Sequence, residues 1–441
     1  MRFQTGRHRT RHHRAKRRRV LTRLATAVTL LAVVACSREP SPVPAQTAAA
    51  PPPWSLSLEP LASPAADTGT APQLTTSSGG VILSWFASHD ETTSLMFSER
   101  IAAGASGTSG WTPPTTVASG SDWFVTDADV PSVLQLSDGT LVANWLKSTD
   151  PSAEAYDLVL SYSKDAGKTW ARPFTPHHDG TKTQHGFASF FEPPAGGVGV
   201  VWLDGRNQVL DAKAPGGGSM SIWSATYDRS WKQTSDQAID TRVCECCPTS
   251  VAMTSSGPVA AFRNLDETNL RNIHTSRFEN GAWTPSQPVH DDGWRLDACP
   301  VNGPAVSARG SAAVVAWYSA KDDMGKAYAA FSSDAGRTWG APIRLDEAAS
   351  LGHVDVDLLD DGSAVATWME FANERADLRV RRIEPSGTKS AAIKVSGDGR
   401  PTGTPRVARK GDELVFAWVE TAAGGGGRTL TTALARLPRA R

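Results

Sequence analysis

The body of this 441-residue chain has no apolar run near the roughly 20 residues that a bilayer-crossing helix needs, which excludes a membrane-spanning core. Persistent helical periodicity is missing too, and 38 Gly and 29 Pro against 40% hydrophobic residues break the chain too often for a long helical bundle. Acidic residues are absent before Glu39, whereas ten basic residues stand between Arg2 and Arg23. The formal balance of 45 basic against 45 acidic residues therefore hides a divided chain. Without residues 1–35 the count is 35 against 45, a net of about −10. An acidic body excludes nucleic acid as the main partner, because a phosphate backbone is held by clustered Lys and Arg. Cysteine is scarce, five residues in all, so its placement is informative.

The first of the five is Cys36. It follows an Arg-rich stretch and a short apolar segment at residues 24–35, together too short for a stable anchor and read as an export signal over residues 1–35. Val33-Val34-Ala35-Cys36 resembles a bacterial lipobox, which implies acylation of Cys36 after cleavage. By resemblance to sorted lipoproteins, Ser37 in place of Asp implies the outer membrane of the cell envelope, facing the periplasm or the cell surface. Arg17-Arg18-Arg19-Val20-Leu21 loosely resembles a twin-arginine signal. Residues 36–73, rich in Pro, Ala, Ser and Thr, read as a flexible tether, with one strand expected inside it at residues 54–58. The lipid is the one membrane attachment expected, on a monomer.

From residue 74 the chain repeats. An apolar run ending in an aromatic recurs at Trp85, Trp145, Trp202, Phe262, Trp317, Trp368 and Trp418, with steps of 60, 57, 60, 55, 51 and 50 residues. A turn signal and short strand precede each run; a charged loop, a third strand and usually a fourth follow. Four short strands per unit is the pattern of a propeller blade, so residues 74–441 are expected to form an all-β propeller of seven four-stranded antiparallel blades, with six as the alternative. The seventh unit lacks its fourth strand, and residues 54–58 can supply it from the other end of the chain, removing an exposed edge.

Two turns between third and fourth strands carry a sharper pattern: Ser163, Asp165, Gly167, Thr169, Trp170 and Ser332, Asp334, Gly336, Thr338, Trp339. Both resemble the Asp box, or BNR repeat, of the sialidase-like β-propeller superfamily. That resemblance implies a structural role for the boxes, with the aromatic packing between blades and the active face at the opposite end. The loops after second and fourth strands then share the functional face. Six of the seven histidines beyond the signal fall there (His89, His177, His178, His185, His290, His353), as do Cys244, Cys246, Cys247 and Cys299.

Several chemistries fit those residues. In an oxidising envelope the four cysteines can form disulfides, and 244 with 247 plus 246 with 299 would tie two adjacent crossovers. Equally, the thiolates, with His185, His290 or His353 completing the set, suit copper or zinc. Redox thiol chemistry is a third reading. Resemblance to catalytic sialidases implies an arginine clamp on a substrate carboxylate, a Tyr–Glu nucleophile pair and an Asp acid/base. Arg206, Arg263, Arg295, Tyr318, Glu370 and Asp204 are the residues available for these roles. Against it, the Arg-Ile-Pro motif that normally precedes the first box is absent. The leading expectation is a ligand- or metal-binding propeller for a small molecule, glycan or metal ion, with exo-α-sialidase-like hydrolysis and a non-catalytic, disulfide-stapled scaffold as alternatives. Trp123, Phe124, Phe187, Phe190, Phe191 and Trp294 could stack on sugar rings or fill the spaces between blades.

Overall fold

The computed structural model describes residues 54–65, 69–101, 110–151, 154–208, 218–372, 374–397, 399–422 and 427–437. The signal at residues 1–35, the twin-arginine-like stretch, Cys36 and the tether up to residue 53 lie outside the described residues. Among the described residues no helix is long and apolar enough to cross a membrane.

Seven antiparallel sheets follow one another along the chain. Their first strands are Gly69–Thr76, Ser132–Gln135, His185–Phe191, Ser250–Thr254, Ala305–Arg309, Ala349–Leu358 and Arg400–Lys410. Residues of all seven line one cavity of about 200 Å³, so these strands surround the axis of a seven-bladed propeller. The second strands carry the repeated aromatics: Gly80–His89, Leu141–Asp150, Val198–Asp204, Gly257–Arg263, Ala312–Ser319, Ala364–Ala372 and Glu413–Thr421. Blade 1 starts at Gly69, five residues ahead of the boundary expected at 74.

The physical reason for the repeat is burial between blades. Seven apolar clusters each join two neighbouring blades, and each contains one of the repeated aromatics. Trp202, Phe262 and Trp368 are fully buried. A buried indole N–H needs an acceptor, and the second strand provides one two residues on: Trp202 Nε1 donates to Asp204 at 2.8 Å and Trp368 Nε1 to Glu370 at 3.1 Å.

The ring closes as the sequence pattern required, with a shift in register. Strand Leu58–Leu61, not residues 54–58, pairs antiparallel with Arg428–Arg436 of blade 7, from Leu58 opposite Ala435 to Leu61 opposite Thr432. Trp54 and Leu56 precede the strand and pack into the cluster between blades 6 and 7. Alternating apolar residues mark burial here, whereas the pairing is set three residues later.

Both box turns are held in the same way. Asp165 accepts the Thr169 N–H at 2.9 Å and the Thr169 hydroxyl at 2.7 Å, while Ser163 Oγ accepts the Gly167 N–H at 2.9 Å. Asp334, Thr338, Ser332 and Gly336 repeat these bonds at 2.9, 2.6 and 2.9 Å. Trp170 packs edge-on against Phe97 of the preceding blade, and Trp339 Nε1 reaches back to Thr275. These turns fix the opposite end as the face of the blade-to-blade crossovers.

Candidate functional site

Two polar groups occupy that face, and the sequence expectation of a joint Cys/His set is corrected here. No imidazole joins the sulfurs in any group of three ligand atoms lying within 4.8 Å of one another among the described residues. The sulfurs gather on the crossovers flanking blade 4, and two histidines gather between blades 2 and 3.

The crossover before blade 4 carries Cys244, Cys246 and Cys247; the one after it carries Cys299. They approach closely because residue 303 is glycine: a Cβ there would stand 2.1 Å from the Pro248 carbonyl oxygen. Cys246 and Cys299 are joined as a disulfide, with Cα atoms 6.0 Å apart. Cys244 Sγ lies 3.7 Å from Cys246 Sγ and 3.2 Å from Cys247 Sγ, and Cys244 and Cys247 are free. The four sulfurs thus run inward from exposed Cys299, through half-buried Cys246, to buried Cys244 and Cys247.

Arginines surround the buried end. Arg271 Nη1 donates to Cys244 Sγ at 3.1 Å. The hydrogen bond with the Cys247 thiol, the Cys246 N–H and the charges of Arg263 and Arg271 together outweigh burial, drawing the Cys244 thiol down to about 7. Burial, with that same hydrogen bond, pushes Cys247 well above the ordinary thiol value.

The second group centres on two parallel imidazoles, His177 and His185, with ring centroids 3.8 Å apart. His185 is fully buried and His177 is 6% exposed. One edge of both rings faces Asp179 Oδ2, 3.4 Å from His177 Nδ1 and 3.2 Å from His185 Nε2. The other edge faces Asp157 Oδ1, 3.7 Å from His177 Nε2 and 3.8 Å from His185 Nδ1. Neither of these last two nitrogens has a hydrogen-bond partner, though both are buried. Burial, with the neighbouring His185, lowers His177 to about 4, so its ring is neutral near pH 7. His177 and Asp157 escaped the choice of ligands from sequence. The available signal was the run His177-His178-Asp179 with His185 soon after, but Asp157 lies in a third strand with no motif around it.

The other candidate histidines stand apart. His290 Nδ1 pairs with Asp292 at 2.8 Å. His353 Nδ1 is 3.3 Å from Thr404 Oγ1, and its backbone N–H donates to Asn302.

A carboxylate clamp is not assembled from the three arginines. Arg206 is bound by Asp204 through two bonds of 2.7 Å and lies on the Trp223 ring. Arg263 is buried and gives its N–H groups to three carbonyls, those of Asn302, Arg271 and Tyr318. Exposed Arg295 bonds Thr268. Tyr318 packs edge-on against Trp294, and Glu370 accepts from the Trp368 indole and the Glu347 N–H. The crossover aromatics mostly fill blade interfaces: Trp123 stacks on Trp145, Phe124 on Tyr156, and Phe187, Phe191 and Trp294 are buried.

Sequence reasoning also passed over the axis, where Asp129, Asp355 and Arg406 line the central cavity. Burial pushes the Asp129 carboxyl from 3.8 up to about 7 against the opposing pull of the Phe187 N–H. A carboxyl raised on folding contributes stability that is whole below its unfolded pKa and lost as pH rises through the folded one. Stability should therefore fall between about pH 4 and 7, with a limiting slope of about 1.4 kcal/mol per pH unit from this group. Asp129→Asn retains an oxygen for the Phe187 N–H, and it should remove that component from urea unfolding midpoints measured across this range. An unchanged pH profile in the variant would contradict the assignment.

No protein-family model and no curated protein matches the chain. Solved structures do. The polysaccharide lyase Uly1 is 11% identical, with 86% of this chain and 92% of the lyase covered at a TM-score of 0.48. The GH93 α-L-arabinofuranosidase of Fusarium graminearum, solved with arabinobiose, is 15% identical, covering 72% of this chain and 95% of the enzyme at a TM-score of 0.47. The endosialidase of phage phi92 is 10% identical, covering 88% of this chain and 70% of the phage protein at a TM-score of 0.49. At such identities the likeness is one of fold.

Proposed function

We propose that this chain is a lipid-anchored propeller, held through Cys36, that binds a soft metal ion, Cu(I) or Zn(II), at Cys244, Cys246, Cys247 and Cys299. The observation that carries this reading is the unbroken line of four sulfurs, with separations of 3.7 and 3.2 Å beyond the disulfide. Thiolates about 2.3 Å from a tetrahedral zinc ion stand about 3.8 Å from one another, so Cys244, Cys246 and Cys247, whose sulfurs lie within 4.8 Å of one another, need little movement to close on one, while Cys299 must swing inward. With the outer disulfide intact, Cys244 and Cys247 supply the two thiolates of a linear Cu(I) site; its reduction by an external thiol supplies four. Arg271 and Arg263 offset the negative charge of such a cluster.

The mature chain, purified without a His tag, tests this by metal analysis and thiol titration. In denaturant, two titratable thiols before reduction and four after are expected from the disulfide and the free pair. The reduced protein should retain one copper or zinc ion, and Cys244→Ser should lower its affinity at least tenfold. Alkylation of Cys244 should rise through about pH 7 while Cys247 stays inert. Four sulfurs that titrate only after reduction, with no metal retained, would overturn the proposal.

A second reading rests on the 3.7 Å gap between the Cys244 thiol and the Cys246 sulfur. The Cys244 thiolate attacks Cys246, forming a 244–246 bond and releasing Cys299 as thiolate. Deprotonated Cys247 then attacks Cys244 and releases Cys246. The exchange is redox-neutral and moves the disulfide from the outer pair to the inner pair. Disulfide mapping in an anaerobic thiol buffer distinguishes it from metal binding, since only exchange yields a 244–247 bond together with free Cys246 and Cys299.

A further inference from the structure

The pair of imidazoles between blades 2 and 3 carries an inference independent of the sulfurs. From the geometry we infer that His177 Nε2, His185 Nδ1 and Asp157 Oδ1 form a second metal site, for a divalent transition ion of zinc type, with one coordination position open to solvent.

Three features lead there. The first is tautomer control. Asp179 Oδ2 is hydrogen-bonded to His185 Nε2 at 3.2 Å and lies 3.4 Å from His177 Nδ1, so a single carboxylate faces one nitrogen of each ring and favours the N–H there. The lone pairs are thereby placed on His177 Nε2 and His185 Nδ1. A carboxylate behind each ligating imidazole is the arrangement that fixes ring orientation and raises basicity at metal centres.

The second is that those lone pairs have no other use. Both nitrogens are buried without a hydrogen-bond partner, in rings that are fully buried and 6% exposed, and leaving a buried polar atom unmatched is costly. Both face the same oxygen of Asp157, at 3.7 and 3.8 Å. Ligand atoms about 2.1 Å from a tetrahedral ion stand about 3.4 Å apart, so binding draws the three atoms, now within 4.8 Å of one another, together and tilts the two rings, now 3° from parallel, until their lone pairs converge. The alternative group of Asp179, His185 and Asp204 is already served by Arg206, which lies within 4 Å of both carboxylates.

The third is charge. Asp157, Asp179, Asp204 and Asp236 stand against Arg206 and Lys147, an excess of two negative formal charges, which one divalent cation cancels. Two nitrogens and one carboxylate oxygen suit zinc and its neighbours in the first transition row rather than Cu(I) or calcium. Asp157 is 28% exposed, so water reaches the remaining position, as at metal sites that act on a ligand.

Zinc alone is the probe. The mature chain with all four crossover cysteines replaced by Ser is stripped of metal and titrated with zinc against a chromogenic chelator. One zinc per chain is expected. Asp157→Ala should weaken it about 100-fold and Asp179→Asn about 10- to 100-fold, whereas His274→Gln, outside the group, should leave it unchanged. Should the cysteine-free chain fail to fold, anomalous diffraction from zinc-soaked crystals of the cysteine-containing chain decides the question. A peak between His177 and His185 supports the site. Zinc at the sulfurs only, or an Asp157→Ala affinity equal to the parent's, overturns it.

Discussion

Replacing Arg263 by Met is expected to cost the fold about 3 to 5 kcal/mol, read as a lowered urea midpoint. The guanidinium is buried and holds the carbonyls of Arg271, Asn302 and Tyr318, drawn from blade 4, the next crossover and blade 5. Methionine fills a similar volume but leaves those oxygens without donors. Arg263 also contributes to the low pKa of Cys244, so the alkylation midpoint of that thiol should rise in whatever fraction of the variant folds. Arg295→Met, at an exposed position, should shift stability by less than about 0.5 kcal/mol. The contrast separates a structural arginine from a substrate clamp. An Arg263→Met protein of unchanged stability that lost activity on an α-linked sialoside would reinstate the clamp.

Removal of residues 54–61 is expected to abolish the closed ring. The strand Leu58–Leu61 covers the outer edge of blade 7, and Thr432 Oγ1 donates to the Leu61 carbonyl at 2.7 Å. Leu56 is buried, and Trp54 and Leu58 pack between blades 6 and 7, while Leu61 packs between blades 7 and 1. At about 1.5 to 3 kcal/mol for a buried aliphatic side chain, one full and three partial burials amount to roughly 4 to 6 kcal/mol. The deletion also bares a strand edge able to pair with another molecule. Thermal melts and size-exclusion profiles should show an early transition and aggregates, and a synthetic peptide of residues 52–62 should restore part of the loss. A truncated chain that melts with the parent would mean that the ring closes by other contacts.

The architecture was legible because it repeats. Each second strand carries an aromatic that one blade cannot bury alone, so Trp85 to Trp418 announce seven interfaces. The box turns were legible because their bonds are local, from Ser163 to Thr169 and from Ser332 to Thr338. Closure was foreseeable from the missing fourth strand, but not its register. Nothing in residues 54–61 says which of their N–H groups will meet Ala435.

The candidate site divides along the same line. Spacing put the cysteines and six histidines on one face, and the proximity of 244 to 247 is already implied by their separation in the chain. Spacing could not show that His185 turns toward Asp157, 28 residues earlier in another blade, or that Arg263 spends its charge on carbonyls. Asp129, Asp355 and Arg406 line one cavity only because seven first strands converge on an axis.

The sequence by itself determined the number of blades, the tight turns and the end of the propeller at which sulfur and imidazole collect, since each depends on contacts within one repeat or on the repeat count. The tertiary structure alone decided that sulfurs and imidazoles form two groups rather than one. Asp157 comes to His185 from another blade and Cys299 to Cys246 from another crossover, and the angle between neighbouring blades, set by how the buried tryptophans pack, fixes these approaches, which no linear spacing encodes.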